Sequence, residues 1–383
     1  MTRPSHKKIP SPVLAAAWLI TLITTLAAGP YPPPPPNSGT TAVAHNDPRI
    51  QFWASGYSNF TQGPEGASFN NPDKALGPAV TGANINLDVL EIVSLGRGGQ
   101  ITLTFPQAIT DGPGDDFAVF ENSFNDTFLE LAFVEVSADG VNFTRFPSSS
   151  LTANPVPFGG ASVDTTNVSG LAGKYRLAFG TPFNLSDVGL SSATHVRIID
   201  IVGDGNTLDS SNNPIYDPYP TVSSAGFDLD AVAVLGTTPE AWRDTHFTPA
   251  ELADPDVSGD LADPDGDGLA NLAERALNTN PREINAPSNT PAAATSATHL
   301  QLTFPRSLTA TNVTIHVEAS TDLTAWTEIA RGTNGGPIAP IGSPGASLVS
   351  EAPSGDKTIV TVSDSVPLSN QSHRFLKLRI SSP

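Results

Sequence analysis

Short runs in which apolar and polar residues alternate recur along most of the chain. Clusters of Gly, Pro, Asn and Asp separate these runs, which is typical of half-buried β-strands joined by turns. The clearest runs in the first half are residues 100–105, 117–120, 131–136, 195–200 and 227–235. Since no helical pattern lies between them, they predict an antiparallel sandwich.

The pattern changes twice further along the chain. Residues 237–285 are acidic with helical spacing, and residues 286–298 are rich in Ser, Thr, Pro and Ala, which predicts a flexible linker. Alternation then returns in residues 299–383, where Val313, Ile315 and Val317 fall on one face. We therefore predict a mainly β protein with two antiparallel β-sandwich domains, a large one at residues 47–236 and a small one at the C-terminus.

Two segments of these β regions resemble each other. Ser137 and Asp139 follow one apolar run, and Ser320 and Asp322 follow another in the same spacing. A strand, a turn that contains Asp and a return strand would produce this pattern. Duplication and the shared requirements of hairpins both explain it.

The N-terminus has the three parts of a secretory signal peptide. A basic stretch precedes an apolar run at residues 13–26, and small residues follow before Pro30. We predict a signal peptide at residues 1–28, with a signal anchor as the alternative, and therefore a secreted, extracellular or cell-surface protein without a membrane span in the mature chain. Residues 29–46, which include five consecutive prolines, predict an extended Pro-rich spacer.

Composition excludes several kinds of partner and site. The formal net charge of -19 would repel nucleic acid, so no nucleic-acid partner is expected. The chain has no Cys, which excludes disulfides, zinc sites with thiolate ligands and Cys nucleophiles. An acidic chain of this kind favours divalent cations or simply stays soluble, and the spacing of the acids has to decide.

One acidic segment matches an EF-hand-like calcium loop at every position. Carboxylates stand at the first, third and fifth positions, Gly268 permits the sharp turn, and a Glu closes the loop. The predicted ligands are Asp263, Asp265, Asp267, Leu269 through its carbonyl, Asn271 through a water, and Glu274. Ca²⁺ is thus the expected cofactor, and residues 269–277 predict an outgoing helix.

A second half-loop precedes this motif, with Asp254, Asp256 and Ser258 as further candidate ligands. Residues 254–281 resemble the thrombospondin type 3 repeats and dockerin-like repeats of bacterial secreted proteins, in which an Asp-x-Asp-x-Asp-Gly-Leu-x-Asn run precedes a short helix. The resemblance implies a rigid extracellular calcium link. No paired second helix-loop-helix is present, which does not fit a calcium sensor.

The large sandwich resembles the jelly-roll domains of bacterial surface proteins and carbohydrate-binding modules, on residues 111–122 and 226–232. The resemblance implies a structural calcium held by an Asp of the last strand, best matched by Asp230, together with other acids. The companion candidates are Asp115, Asp116, Glu121 and Asp228. Alternatively, these residues are acids of edge strands and turns and do not form a calcium site. The small domain is expected to be Ig- or fibronectin-like, with the calcium-loop segment joining the two sandwiches.

Aromatic residues suggest where a sugar could stack. Tyr216 and Tyr219 lie in a Pro-rich loop, and Trp53 lies near the start of the large domain. Core filling is the alternative role for such residues.

The sequence has no strong catalytic motif. It contains neither a His-x-x-x-His spacing nor a Gly-x-Ser-x-Gly elbow. The expected function is a non-catalytic calcium-binding surface protein whose large sandwich binds a glycan or another matrix component. A structural or adhesive spacer and a polysaccharide-active enzyme remain as alternatives, the latter because paired carboxylates cannot be located in sequence.

Overall fold

The structure is a computed structural model that describes residues 28–66, 68–84, 90–159, 162–296, 298–342, 345–370 and 373–382. The predicted signal peptide at residues 1–28 lies outside these ranges, except for its last residue.

The first part of the chain forms strands β1 to β15. In chain order they are β1 (Val43–Ala44), β2 (Ile50–Trp53), β3 (Gly56–Thr61), β4 (Val93–Ser94), β5 (Gln100–Thr110), β6 (Phe117–Glu121), β7 (Ala132–Ser137), β8 (Thr144–Arg145), β9 (Ser149–Ser150), β10 (Val168–Ser169), β11 (Phe179–Phe183), β12 (Ser192–Asp200), β13 (Asp204–Leu208), β14 (Pro214–Tyr216) and β15 (Asp228–Leu235).

Two larger sheets of this part enclose one apolar core. One has the order β1-β11-β6-β15-β2, with β4 also on β15, and the other has the order β3-β5-β12-β7-β8. Alternate residues of β6 face opposite ways: Phe117 and Val119 enter the main core, and Ala118 and Phe120 enter a second apolar cluster with Trp53. Because both faces of β6 are covered, its residues from Phe117 to Phe120 are all apolar. Strands β9 with β10 and β13 with β14 form small pairs.

Short helices follow the last strand of the first sandwich. They are α1 (Pro239–His246), α2 (Pro249–Leu252), α3 (Pro255–Ser258) and α4 (Asn271–Leu277). Thr238 caps α1 and Thr248 caps α2, each with a Pro at the start of its helix. These helices bring the acidic segment between α3 and α4 to the start of the second sandwich.

The C-terminal part forms strands β16 to β23. In chain order they are β16 (Ala292–Thr295), β17 (Leu300–Ser307), β18 (Thr314–Ser320), β19 (Thr327–Thr333), β20 (Ala339–Pro340), β21 (Ala346–Ser354), β22 (Lys357–Asp364) and β23 (Phe375–Ser381). Their sheets have the orders β16-β17-β22-β21 and β20-β19-β18-β23. A separate apolar core lies between them and includes Phe304, Val317 and Val360.

The fold class predicted from sequence is confirmed. The described chain is mainly β, every ladder between the named strands is antiparallel, and the helices are few and short. Among the residues that the structure describes, no helix has the length and apolar character needed to cross a bilayer.

The segments predicted to be an extended Pro-rich spacer and a flexible linker both form hydrogen bonds with the sandwiches. In the Pro-rich segment, the Tyr31 amide donates to the Thr166 carbonyl at 3.1 Å, and Arg176 donates to the Pro35 carbonyl at 2.9 Å. These bonds lay the segment along the first sandwich. In the predicted linker at residues 286–298, β16 pairs with β17 although all four of its residues are exposed. An edge strand can form in this way because its ladder bonds come from the backbone alone.

The two similar segments form the same turn. Asp139 accepts from the amides of Val141 and Asn142, both at 2.8 Å, after β7. Asp322 accepts from the amides two and three residues ahead, both at 2.9 Å, after β18. These bonds hold the pKa of Asp139 below its usual range and lower the pKa of Asp322 to about 2.

Candidate metal centre

Three carboxylates converge in the loop between α3 and α4. One oxygen each of Asp263, Asp265 and Asp267 lies within 4.8 Å of the others. No other group of three His, Cys, Asp or Glu side chains in the described ranges comes so close together. The sequence predicted these residues as ligands, and the structure brings them to one point.

The loop turns inward because two glycines adopt left-handed backbone angles. Gly266 has φ +76° and Gly268 has φ +94°, which side chains with a Cβ adopt only at a cost. The amides of both glycines donate to Asp263 at 2.9 Å. The Leu269 amide donates to Asp267 at 2.8 Å. Backbone amides thus orient the carboxylates toward the centre of the loop.

Glu274, in the first turn of α4, adds a fourth carboxylate beside the three Asp side chains of the loop. Its side chain is fully buried, and Oε2 has no hydrogen-bond partner in the described part of the chain. Oδ2 of Asp265 is also buried without a partner. Burial, with the charges of Asp265 and Asp267, raises the pKa of Glu274 to about 7. Buried carboxylate oxygens without donors are costly unless a cation or a proton reaches them.

Asn285 connects two acidic side chains of the loop, Asp267 and Glu274, and the sequence did not predict its role. Its side-chain amide donates to Oδ2 of Asp267 and to Oε1 of Glu274, both at 2.9 Å. Its backbone amide donates to the same oxygen of Asp267 at 2.9 Å. Although burial opposes the change, these bonds and that from Leu269 lower the pKa of Asp267. No spacing rule points to Asn285, because it reaches the loop from beyond α4.

Asn271 joins the loop to the preceding segment. Its Nδ2 donates to the carbonyls of Val257 at 2.9 Å and Gly259 at 2.8 Å, while its buried Oδ1 has no partner among the described residues. Asn271, which the sequence predicts to reach calcium through a water, therefore keeps Oδ1 available to accept a hydrogen bond from that water. For Leu269, the structure places the residue in the loop, with its side chain packed against the second core.

The outgoing helix anchors the loop to the second sandwich. Leu272, Ala276 and Leu277 pack against its core. Arg275 is almost fully buried and donates to the Thr311 carbonyl, and the Thr311 amide donates to the Thr237 carbonyl at 3.0 Å. The loop thus lies where the second sandwich meets the end of the first.

The second half-loop does not join this group. Asp254 caps α3 by accepting from the Asp256 amide at 3.0 Å, and the Ser258 hydroxyl donates to backbone carbonyls. Asp254 and Asp256 are exposed. Helix capping accounts for the positions of these polar residues.

The candidate acids of the large sandwich separate into two groups. Asp116 stands before β6 and accepts from the Leu185 and Gly112 amides, while Asp115 pairs with Arg49 at 3.6 Å. The other three acids lie at the opposite end of the strand pair, where Leu229 of β15 is opposite Glu121 of β6. They are Glu121, Asp228 and Asp230. The five predicted residues therefore do not form one site.

The predicted stacking aromatics each contact other residues of the fold. Trp53 packs on Phe120 with ring centroids 5.5 Å apart, and Tyr216 packs against an apolar cluster of the first sandwich. The Tyr219 ring lies under the Arg97 guanidinium at 5.3 Å.

A different aromatic surface is exposed, and sequence analysis did not single it out. Phe124 and Phe128 lie in the β6–β7 loop with centroids 6.2 Å apart, and Phe158 lies 5.8 Å from Phe128. Phe124 is 56% exposed and Phe158 is 64% exposed, so their rings are available to a partner.

Comparison with known proteins adds no relative. Neither the scan against protein-family models nor the search of curated proteins finds a match to the chain.

Proposed function

We propose that this chain is a secreted or cell-surface calcium-binding protein without a catalytic role. The observation that carries the proposal is the meeting of Asp263, Asp265 and Asp267 within 4.8 Å beside the buried, unpartnered Oε2 of Glu274. Ca²⁺ takes about six to eight oxygen ligands at its sites in proteins. Four carboxylates of this loop, with the Leu269 carbonyl and a water near Asn271, would supply them.

The surroundings of the loop favour a stabilising ion over a switching one. The Asp-x-Asp-x-Asp-Gly-Leu-x-Asn run resembles thrombospondin type 3 and dockerin-like repeats, and α4 is packed into the core of the second sandwich. An ion that binds only the folded state stabilises it by mass action. In this proposal calcium fixes the junction between the sandwiches, and extracellular sites of this kind bind with Kd of roughly 10⁻⁴ to 10⁻³ M.

The Asn285→Ala variant tests the geometry of the proposed site. We expect calcium affinity to fall by about 10- to 100-fold, the usual cost of losing a residue that orients ligands. Calorimetric titration of Ca²⁺ into chelator-stripped protein measures the change. Asn280→Ala is the control, since Asn280 lies in the same segment and contacts neither Asp267 nor Glu274 in the described structure. A wild-type chain that takes up no Ca²⁺ at about 10 mM, far above the expected Kd, would contradict the proposal.

A second candidate function is binding of a glycan or matrix component by the first sandwich. The exposed rings of Phe124 and Phe158, which both pack on the half-buried Phe128, favour it, because aromatic faces stack on apolar faces of ligands. The surface lies in loops at one end of a sandwich, where binding residues are often found.

A glycan array separates this candidate from its alternatives. We expect binding that is lost in Phe158→Ser and kept in Val141→Ser, which changes another exposed apolar residue elsewhere. Binding of no glycan, with or without chelator, would leave the structural or adhesive spacer. Turnover of a polysaccharide that one acid substitution abolishes would instead favour the enzyme.

A further inference from the structure

A small cavity lies where the two sandwiches meet, and we call it the junction cavity. Its walls come from the loop after β5, from α1 and α4, and from the end of β17 and the turn between β21 and β22. Its volume is about 160 Å³. At roughly 10 to 15 Å³ for each water, this space holds on the order of ten waters, which is enough for a ligand of monosaccharide size.

Arg275 of α4 brings a buried positive charge to the junction cavity. It lines the cavity and is 2% exposed. Nη1 donates to the Thr311 carbonyl, whereas Nη2 is buried and has no hydrogen-bond partner in the described part of the chain. A buried N–H group without an acceptor costs free energy, and the cost is larger when the group is charged.

The charge of Arg275 is not neutralised directly. Among the described residues, no carboxylate forms a salt bridge with it, although the charges of Asp260 and Glu240 act on it from a greater distance. Both of these acids pair with Arg243, Asp260 at 3.3 Å and Glu240 at 3.2 Å. A ligand carboxylate at Nη2 would therefore supply both an acceptor and a compensating negative charge.

The other polar groups of the junction cavity fit hydroxyl groups better than a second acid. The buried Ser307 hydroxyl accepts from the Thr309 and Ala310 amides at 3.3 and 3.1 Å, and its hydrogen has no acceptor within the described ranges. Asp111 and Asp356 also line the cavity, and both are exposed. Carboxylates accept hydrogen bonds from hydroxyls but repel anions. A ligand with one acid group and several hydroxyls suits this lining.

We propose that the junction cavity binds a small hydroxylated carboxylic acid, of the sugar-acid class, through Arg275. The ligand carboxylate meets Nη2, and its hydroxyls donate to Asp111 and Asp356. Trp242, whose ring packs on His246 with centroids 4.6 Å apart, forms an apolar wall beside the ligand. The site is separate from the exposed Phe rings and includes none of the proposed calcium ligands, so it does not depend on calcium binding.

Titration calorimetry of the full chain with D-glucuronate tests the site. D-glucose, which lacks the carboxylate, and acetate, which lacks the hydroxyls, are the matched probes at constant ionic strength. We expect a Kd of roughly 1 mM for D-glucuronate, typical of a ligand of this size. The other two probes should bind at least about 10-fold more weakly, because each loses part of the hydrogen bonding. The result should be the same in chelator and in Ca²⁺.

Two variants locate the site. Arg275→Gln removes the charge and should weaken D-glucuronate binding by about 10- to 100-fold, the cost of losing a hydrogen bond to a charged group. Thr245→Tyr adds a ring at an exposed position of α1 that lines the cavity, and should block binding while Arg275 stays in place. Ala250→Tyr is the control, since it adds the same ring at an exposed position of α2 that does not line the cavity.

Several outcomes would overturn this proposal. One is D-glucuronate binding that neither Arg275→Gln nor Thr245→Tyr weakens, and another is a wild type that binds none at about 50 mM, far above the expected Kd. Equal binding of acetate, or of D-glucose, would overturn the ligand class, because the hydroxyls or the acid would not be recognised. The calcium proposal fails separately, since Ca²⁺ uptake is measured without any sugar acid.

Discussion

Glu274→Gln is expected to abolish most of the stabilisation that calcium gives this protein. The substitution keeps the shape of the side chain but removes the negative charge of its unpartnered, buried Oε2. We expect Kd to rise by roughly 100-fold or more, because loss of a ligand should exceed the 10- to 100-fold cost of losing an orienting residue. In wild type, calcium at about 100 times Kd should stabilise the fold by about 2.7 kcal/mol.

Thermal unfolding with and without Ca²⁺ measures this effect. In wild type the ion should raise the Tm of the unit that holds the loop by roughly 5 to 10 °C, at about 2 to 4 °C per kcal/mol. In Glu274→Gln the increase should nearly vanish. Glu283→Gln is the matched control, since it removes the same charge from an exposed position nearby and should respond as wild type does. An unchanged calorimetric affinity in Glu274→Gln would remove Glu274 from the ligand set.

The loop was predictable because its geometry is local. Asp263, Asp265 and Asp267 stand two residues apart, and Gly266 and Gly268 supply the positive φ angles that turn them inward. The shared turn after β7 and after β18 was predictable for the same reason. In each case a carboxylate accepts amides two and three residues ahead, so nearby sequence contains all the partners.

The contacts that sequence missed connect distant segments. The charge of Asp228 acts on Glu130 because the fold brings the segments before β7 and at the start of β15 near each other, and no residue near either one predicts the other. Grouping Asp116 with Glu121 failed for a geometric reason: five positions along a strand, at about 3.4 Å each, place them at opposite ends of β6. Asn285 reaches Glu274 only because the chain folds back after α4.

The backbone hydrogen bonds of the Pro-rich segment also could not be predicted from its composition. Five prolines predict a stiff, extended stretch, and composition alone does not reveal what lies beside it. The carbonyl of Pro35 remains a hydrogen-bond acceptor, and Arg176 of the first sandwich donates to it. The segment is therefore held both by this donor from the fold and by its own Tyr31 amide, which donates to the Thr166 carbonyl.

Without calcium, the protein should lose stability as the pH rises from about 5.5 to about 8. Burial raises the pKa of Asp200 to about 6, of Asp116 to about 7 and of Asp228 to about 8, and burial with nearby charges raises that of Glu274 to about 7. In this window the folded state keeps protons that the unfolded state has released. Stability from these groups is therefore complete below their unfolded pKa values and is lost as pH rises through the folded values.

Groups with a lowered pKa, such as Asp322 and Glu328, act in the opposite direction but only at lower pH. Their pKa values of about 2 place their loss of stability below about pH 5. Above that pH the groups with a raised pKa decide how steeply stability falls with pH, at up to about 1.4 kcal/mol per pH unit for each retained proton.

Calcium should weaken this pH dependence, because at the loop it replaces the proton that Glu274 otherwise keeps. Urea unfolding at about pH 5.5 and pH 8, in chelator and in saturating Ca²⁺, measures both slopes. We expect a smaller slope with calcium, and an affinity for Ca²⁺ that rises between these pH values because binding releases protons. Glu274→Gln should reduce the slope in chelator, whereas Glu283→Gln should leave it unchanged. A chelated wild type that is more stable at pH 8 than at pH 5.5 would contradict the raised pKa values on which this expectation depends.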